Sequence, residues 1–474
     1  MRHVASYKVR LAGTTRSQRD ALEATVRVYR EALSFLVGVV DSAWDEVEKV
    51  RGGLARQRLV ETWVHASARN PEPRHPEFDQ LFYKLPSYLR RSAITSAIGK
   101  VAAYKANLSR WEESGRKGGE PKLSHDHFDF PVLYKQNMFV RDGETSCRVK
   151  VFDGNDWTWL DLDLRPSDIR YIDRMEGATV KNPRLERKGK VWSLRFCVER
   201  DAPLTEEPEE CRRVCAVDLG INKCATMAVV EPDGTVIGRK CFDLPGEKDR
   251  LARALGRVKK AQQSGSRRTP RLWALADYIN SQIARKTARA IVDFAALYSC
   301  DVIVFEHLEF RGKARGSKKQ RLHLWRKREV QKVAESQAHL LGMRVSRVNA
   351  WNTSCLAFDG SGRVERGRGA GLPSYSTVRF ATGKVYDADL NAAYNIAARY
   401  LVRAVLKSLP ETVRLDIRAK VPGCSRRTTC TLSSLISLRA ELAASSRHVP
   451  ELRPYAGEGD RQPKTDGKRA TLVA

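Results

Sequence analysis

Three acidic residues stand where this chain can least easily accommodate a charge. Asp218 closes the apolar run Val214-Cys-Ala-Val217, and Glu306 closes Val302-Ile-Val-Phe305. Asp389 opens the helical pattern Leu390-Asn-Ala-Ala-Tyr-Asn-Ile-Ala397. A carboxylate among apolar neighbours loses its hydration, so it must meet a partner, a metal or solvent at an element's edge. Three carboxylates brought together suit two Mg²⁺ ions about 3.5–4 Å apart. One ion would turn water into a hydroxide nucleophile, and the other would stabilise the leaving 3′ oxygen of a phosphodiester. The products would carry a 5′ phosphate and a 3′ hydroxyl. Taken singly, Asp218 and Glu306 read as strand ends and Asp389 as a helix cap, a job Asp387 could do as well. Their order along the chain is what is specific.

The elements that must position them follow from periodicity. Apolar runs of four to eight residues bounded by turn signals are buried strands. Three such runs lie between Val214 and Phe242, and Asp233-Gly234 supplies a tight hairpin between the second and third. Helices are expected over 248–262 and 271–296, a strand over 301–306, a helix over 327–341 and a strand over 344–348. Residues 352–385 are Gly-rich and expected to be irregular, and a helix begins at Asp389. Strand-strand-strand, helix, strand, helix, strand, helix is the order of a ribonuclease-H-like α/β domain. If the strands ending in Asp218 and Glu306 are neighbours, their backbones lie ~4.8 Å apart. Asp389 then approaches from the side.

Upstream, Ser6 to Leu11 reads as a strand, and Thr15 with Gln18 as a capping box. Leu22, Val26, Tyr29, Leu33, Leu36, Val40, Trp44 and Val47 recur at helical steps. Further helices are expected near 54–68 and from Pro86 to Trp111. Beyond the loop Gly115 to Pro121 the period switches to two, with strands over 149–152, 157–164, 180–185 and 191–198. Short strands at this spacing suggest a small barrel, which the first strand could complete. The helical module would then be an insertion. Trp111, Trp157 and Trp159 are candidates to stack on bases, whereas Trp192 suits a core.

Lys and Arg number 85 against 56 Asp and Glu, a net charge of +29 over 474 residues. A polyanionic partner, nucleic acid first, is the natural inference. The densest basic run contains Arg311, Lys313, Arg315, Lys318, Lys319, Arg321, Arg326, Lys327 and Arg328. It follows directly on Glu306, and its residues are expected to touch phosphates beside the carboxylates. No apolar run approaches the ~20 residues that span a bilayer, and Met1-Arg-His-Val-Ala-Ser-Tyr-Lys8 lacks a signal-peptide core. A cytoplasmic location without membrane contact is expected. The ten cysteines include no C-x-x-C pair, which fits small buried thiols rather than disulfides.

Ala216-Val-Asp-Leu-Gly-Ile-Asn222, Val302-Ile-Val-Phe-Glu-His-Leu308 and Asp387-Ala-Asp-Leu-Asn-Ala-Ala-Tyr-Asn-Ile-Ala397 resemble the three RuvC motifs of transposon-encoded TnpB proteins and the type V CRISPR effectors derived from them. A weaker likeness extends over residues 1–402, including Asn349 to Ser354. The resemblance implies a bilobed protein with α/β, all-α and all-β modules. Its parts would be a wedge β-barrel (1–12 and 119–205), an inserted helical recognition lobe (13–118) and an RNase H-like RuvC domain (206–349 and 387–444). Residues 350–386 would form a degenerate target-nucleic-acid-binding segment, and composition makes 445–474 a disordered tail. The implied activity is cleavage of double-stranded, and also single-stranded, DNA directed by a guide RNA after a short adjacent motif is read. A role in antiviral defence would follow, in a monomer or homodimer. Asp218, Glu306 and Asp389 match the family's catalytic, Mg²⁺-binding acids. The family's zinc ribbon takes two C-x-x-C pairs, but here Cys355 is alone and Arg379 and Thr382 stand where the second pair would fall. No structural zinc is expected. Two alternatives stay open within the resemblance: a guide-dependent DNA binder that cuts little or not at all, and a transposon-encoded TnpB nuclease. Sugar kinases share the opening aspartate-glycine strand, but their second Gly-rich phosphate loop is missing after Asp301.

Overall fold

Strand β1 (Arg2–Ala12) holds the N-terminal region together by pairing on both sides. It runs antiparallel to β7 (Val191–Asp201) from Arg2↔Asp201 to Arg10↔Ser193, and its end pairs with β4 (Trp157–Leu164). A computed structural model describes residues 1–125, 129–266, 268–307, 326–367 and 370–444. The chain divides into two compact units, Arg2–Asp201 and Ala202 onward together with Met1.

In the first unit, β2 (Phe139–Arg141), β3 (Ser146–Phe152), β5 (Thr179–Val180) and β6 (Arg184–Lys188) complete a seven-stranded sheet in the order β2-β3-β4-β1-β7-β5, with β6 also on β7. The path of named strands ends at β2 and β5, and residues 131–133, just before β2, pair with the start of β6 through the bridge Val132↔Arg184. Helix Arg16–Ser42 starts at the expected capping box, with Gln18 N donating to Thr15 Oγ1 at 3.2 Å and Thr15 N to Gln18 Oε1 at 2.8 Å. The long helix expected to reach Val47 breaks at Ala43, where the Ser42 hydroxyl turns back onto the Val39 carbonyl. Trp44–Lys49 follows as a separate turn, and then Gly53–Val64, Glu77–Leu81 and Ser87–Glu113. Helices and sheet share one hydrophobic cluster, containing Leu22, Tyr29 and Leu36 from the first helix beside Val149, Leu164, Trp192 and Leu194 from the sheet. Trp159 stays exposed. A helix that periodicity did not reveal, Pro166–Asp173, begins with proline in its first turn, and Asp168 there accepts from Arg10 Nε and Nη2, each at 2.7 Å.

The second unit is built on β8 (Val214–Asp218), β9 (Ala225–Val230), β10 (Val236–Phe242), β11 (Val302–His307) and β12 (Arg344–Asn349), in the order β10-β9-β8-β11-β12. The first three pair antiparallel through the expected Asp233-Gly234 hairpin, and β8, β11 and β12 are parallel. Successive side chains of a strand face opposite ways, and both faces here are apolar. Val214, Ala216, Val302 and Val304 pack against helix Ala388–Ser408 and the C-terminal helix Leu432–Ala444. Cys215, Val217, Ile303 and Phe305 pack against helices Pro270–Leu297 and Lys327–Leu340. Two-sided burial is why these strands read as continuous apolar runs rather than alternating ones. Helices Pro245–Gln263 and Glu411–Lys420 complete the unit's longer elements. No helix among the described residues is long and apolar enough to cross a membrane.

The segment expected to be irregular contains a small antiparallel sheet, β13 (Glu365–Arg366), β14 (Thr377–Arg379) and β15 (Val385–Asp387). Strands of two or three residues among glycines leave no periodicity to read, yet Ala357, Val378, Phe380 and Ala388 make them a core.

Leu401 lies fully buried between sheet and helices, whereas Leu415 is 58% exposed. Leu401→Ala should cost this unit about 2–5 kcal/mol and Leu415→Ala within about 0.5 kcal/mol. Thermal melting of the two variants side by side checks the difference.

Candidate active site

The pairing of β8 with β11 reaches Val217↔Phe305, and the next residue on each strand is an acid. Parallel strands end at the same edge, so Asp218 and Glu306 emerge side by side, about 4.8 Å apart along the backbone. Alternation then fixes their direction. Asp218 follows Ala216 and Glu306 follows Val304, both on the face covered by helix Ala388–Ser408. The first turn of that helix carries Asp389.

The roles of the two neighbouring aspartates separate cleanly. Asp387 is the helix cap: its Oδ1 accepts from Asp389 N and Leu390 N, both at 3.0 Å. The Asp389 carboxylate makes no cap bond. Lys223 reaches both residues, with its Nζ 2.6 Å from Asp387 Oδ2 and 3.6 Å from Asp389 Oδ2. It arrives through the turn after β8, and Gly220 allows that turn to close. A Cβ on Gly220 would stand 2.8 Å from the Lys223 carbonyl oxygen.

Titration behaviour reflects this crowding. Asp218 is held well above the ordinary carboxylate range, chiefly by burial and then by the negative charges of Glu306 and Asp389, with Arg366 opposing. No hydrogen bond among the described residues reaches its carboxylate. Burial also raises Glu306, against a hydrogen bond from Thr353 and the charge of Arg399. Asp389 is raised by burial and by Asp387, while Lys223 and Arg366 pull it down.

Glu306 is the best supported of the three. It is 8% exposed. Thr353 Oγ1 donates to its Oε1, and Gln331 Nε2, from helix Lys327–Leu340, donates to its backbone carbonyl at 3.0 Å. Residues 349–358, which deliver Thr353, are fastened to helix Ala388–Ser408 by Asn391, Asn395 and Arg399. Sequence reasoning named none of Thr353, Lys223, Asn395 and Arg399 as site residues. A signal for two of them was present: Asn391, Asn395 and Arg399 recur every four residues within an otherwise apolar helical run.

An all-oxygen, all-acidic set fits a hard divalent cation such as Mg²⁺, and a carboxylate without a donor fits a group awaiting positive charge. Among the described residues, no three His, Cys, Asp or Glu side chains already close around one point as metal ligands. Cys355 is the one cysteine in the sequence of residues 350–386, and Arg379 donates to the Ala370 carbonyl at 2.8 Å.

Of the expected phosphate-contacting residues, Arg311, Lys313, Arg315, Lys318, Lys319 and Arg321 lie outside the described residues, as does the expected tail 445–474. Arg326 is engaged by Asp277 and by Glu329. Lys327 is buried, and Arg328 is exposed on the first turn of its helix.

Residues 5–153 match the Aq_aa04 family. A relative described as "Uncharacterized protein aq_aa04" of Aquifex aeolicus (strain VF5) is 26% identical over 135 residues, covering 26% of this chain and 74% of its own. The matched family region contains none of the three acids. Among solved structures, a Cas12f1–sgRNA–target DNA complex is similar at 15% identity, over 83% of this chain and 98% of that chain, with a TM-score of 0.33. CasPhi-2 (Cas12j) bound to crRNA is similar at 10% identity over 84% and 98%, with a TM-score of 0.40. Alicyclobacillus acidoterrestris C2c1 with single-guide RNA is similar at 12% identity over 81% and 70%, with a TM-score of 0.42.

Because Asp218 is raised on folding, the native state holds its proton more tightly than the unfolded chain does. That stabilisation is complete below the unfolded value and is lost as pH rises through the folded one. Asn cannot ionise. Asp218→Asn should therefore raise the melting temperature of metal-free protein more at about pH 8 than at about pH 5. Equal shifts at both would show that folding does not raise the titration of Asp218 across this range.

Proposed function

We propose that this chain is an RNA-guided DNA endonuclease of the type V kind, with an RNase H-like RuvC domain that hydrolyses phosphodiester bonds at Asp218, Glu306 and Asp389. The observation that carries this is the register of β8 and β11, which sets Asp218 and Glu306 side by side on the face where the helix of Asp389 begins. The strand order β10-β9-β8-β11-β12, in which β9 alone runs against the other four strands, supports the RNase H-like assignment. The three sequence motifs and the charge of +29 support a nucleic-acid substrate and a guide RNA.

When bound, divalent ions at this edge supply an activated water and charge stabilisation at the leaving oxygen. The chain's own groups do the rest. Asp218 and Glu306 hold the cation side of the site from rigid strands, and Asp389 closes it from the helix. Lys223 and Arg366 temper the repulsion among the acids and between the acids and a phosphate. Arg328, exposed on the first turn of helix Lys327–Leu340, would meet a nucleic-acid phosphate, as would the basic residues 311–321.

A second reading is favoured by one observation: the acids do not close around a common point among the described residues. The chain would then bind DNA through its guide without cutting. Purified ribonucleoprotein, matched target and Mg²⁺ separate the two. Cleavage should occur, and Asp218→Ala, Glu306→Ala and Asp389→Ala should each lower it on the order of 10³-fold while guide-dependent binding persists. An intact target bound equally well by wild type and Asp218→Ala would establish the binder.

Residues 350–386 are proposed to fold without zinc. Ala357, Val378 and Phe380 form the core of this segment, with Phe358 packed against them. Metal analysis of purified protein should find no stoichiometric zinc, and chelation should leave its melting transition unchanged.

A further inference from the structure

Thr353 carries one hydroxyl proton and faces two acceptors, Glu306 Oε1 and the Ala350 carbonyl at 3.0 Å. A hydrogen bond to an ionised carboxylate is roughly twice as strong as one to a neutral acceptor, so ionised Glu306 takes the proton. Donation to Oε1 fixes the carboxylate's rotation and leaves Oε2 and the second lone pair of Oε1 free for a cation.

The backbone that brings Thr353 here is held with unusual thoroughness. Asn395 Nδ2 donates to the Thr353 carbonyl at 2.9 Å and to the Leu356 carbonyl at 2.8 Å. Asn391 donates to the same Leu356 carbonyl at 2.8 Å and accepts from Phe358 N at 2.8 Å. Arg399 Nη1 donates to the carbonyls of Asn349 and Trp351, both at 2.7 Å. All three side chains are buried, and all three project from the helix that begins with Asp389. Among the described residues no donor reaches the buried Asn395 Oδ1. Departures of this kind from local optimisation concentrate at functional sites.

We infer that Thr353 is a positioning residue for Glu306, and that Asn391, Asn395 and Arg399 make it part of the helix that carries Asp389. One rigid element thus sets two of the three acids: Asp389 directly, and Glu306 through the Thr353 hydroxyl. This rests on the assignment of the acids as cation ligands, and extends it to residues that touch neither ion nor substrate. Outer partners of this kind typically change metal affinity or activity by about 10–100-fold when removed.

The test uses Thr353→Val, which keeps the shape and removes the hydroxyl, and Thr353→Ser, which restores it. Mn²⁺ binding to the full chain is followed by calorimetry, beside the melting temperature without metal and guide-dependent DNA binding. Thr353→Val should weaken Mn²⁺ binding by about 10–100-fold with melting and DNA binding unchanged. Thr353→Ser should return Mn²⁺ binding to within about threefold of wild type. In cleavage, kcat should fall more than KM for DNA rises. Mn²⁺ binding by Thr353→Val equal to wild type overturns the inference and leaves the nuclease assignment standing. Weaker binding that tracks a lower melting temperature, and that serine does not rescue, also overturns it. Wild-type protein that neither binds Mn²⁺ nor cuts DNA removes both.

Discussion

The site depends on one constraint, the pairing of two parallel strands to their last residue. A register shift of a single position between β8 and β11 would turn one acid to the opposite face, since side chains alternate with a period of two. What prevents the shift is apolar packing on both sides. Val302 and Val304 must meet helix Ala388–Ser408, and Ile303 and Phe305 must meet the helices on the other face. Misplacing Glu306 would therefore expose or invert an entire buried strand. The expensive charges sit at the strand ends, and their placement is enforced by residues with no polar chemistry of their own.

Around those ends, the electrostatics are incomplete by construction. Asp218, Glu306, Asp387 and Asp389 are opposed by Lys223, Arg366 and Arg399, four acids against three bases. Lys223 alone among the described residues makes a direct ion pair with them, and its shorter contact is to Asp387. Asp218 has, among the described residues, neither a hydrogen bond nor an ion pair, and burial raises the cost of its charge. Among the described residues the acids at this rigid edge outnumber the bases, which is the condition for taking up a cation. Asp387, by capping the helix and holding Lys223, keeps that lysine from neutralising Asp389 fully.

Much of this was legible in the sequence because long apolar strands and helices report their own periodicity. The runs ending in Asp218 and Glu306 and the helix after Asp387 lie where periodicity places them. The types and order of the acids also point to this edge before any coordinates are considered. What stayed hidden depends on contacts between distant segments. Nothing local marks Thr353 as the donor to Glu306, 47 positions away. Lys223 looks like any surface lysine until the Gly220 turn carries it to Asp387. The break at Ala43 leaves no mark in the apolar spacing, which continues through Trp44 and Val47, and the strands β13 to β15 are too short to carry a period. The basic run after Glu306 is a different case. Its charge is plain in the sequence, but Arg326 is taken up by Asp277 and Glu329 and Lys327 is buried. Charge density alone does not say which cations remain available to a partner.

The small sheet between the second and third acids also bears on the site through connectivity. Strand β15 runs directly into helix Ala388–Ser408, with Asp387 serving as the last residue of one and the cap of the other. Phe358 lies edge-on to Phe380 at 5.4 Å, to Tyr386 at 5.2 Å and to Tyr394 at 5.1 Å. The Tyr386 and Tyr394 hydroxyls stand 3.0 Å apart. Edge-to-face aromatic pairs contribute about 0.5–1.5 kcal/mol each beyond the area they bury. Tyr394 belongs to the helix and Phe380 to the turn after β14, so this cluster joins the small sheet to the second turn of the helix. Asn391 adds a polar tie to the Phe358 backbone on the same stretch. The N-terminus that carries Asp389 is therefore fixed from the sheet's side by rings and from the strand's side by the cap. A segment that lacks a thiolate set can still act on the site, because its packing decides where the third acid begins.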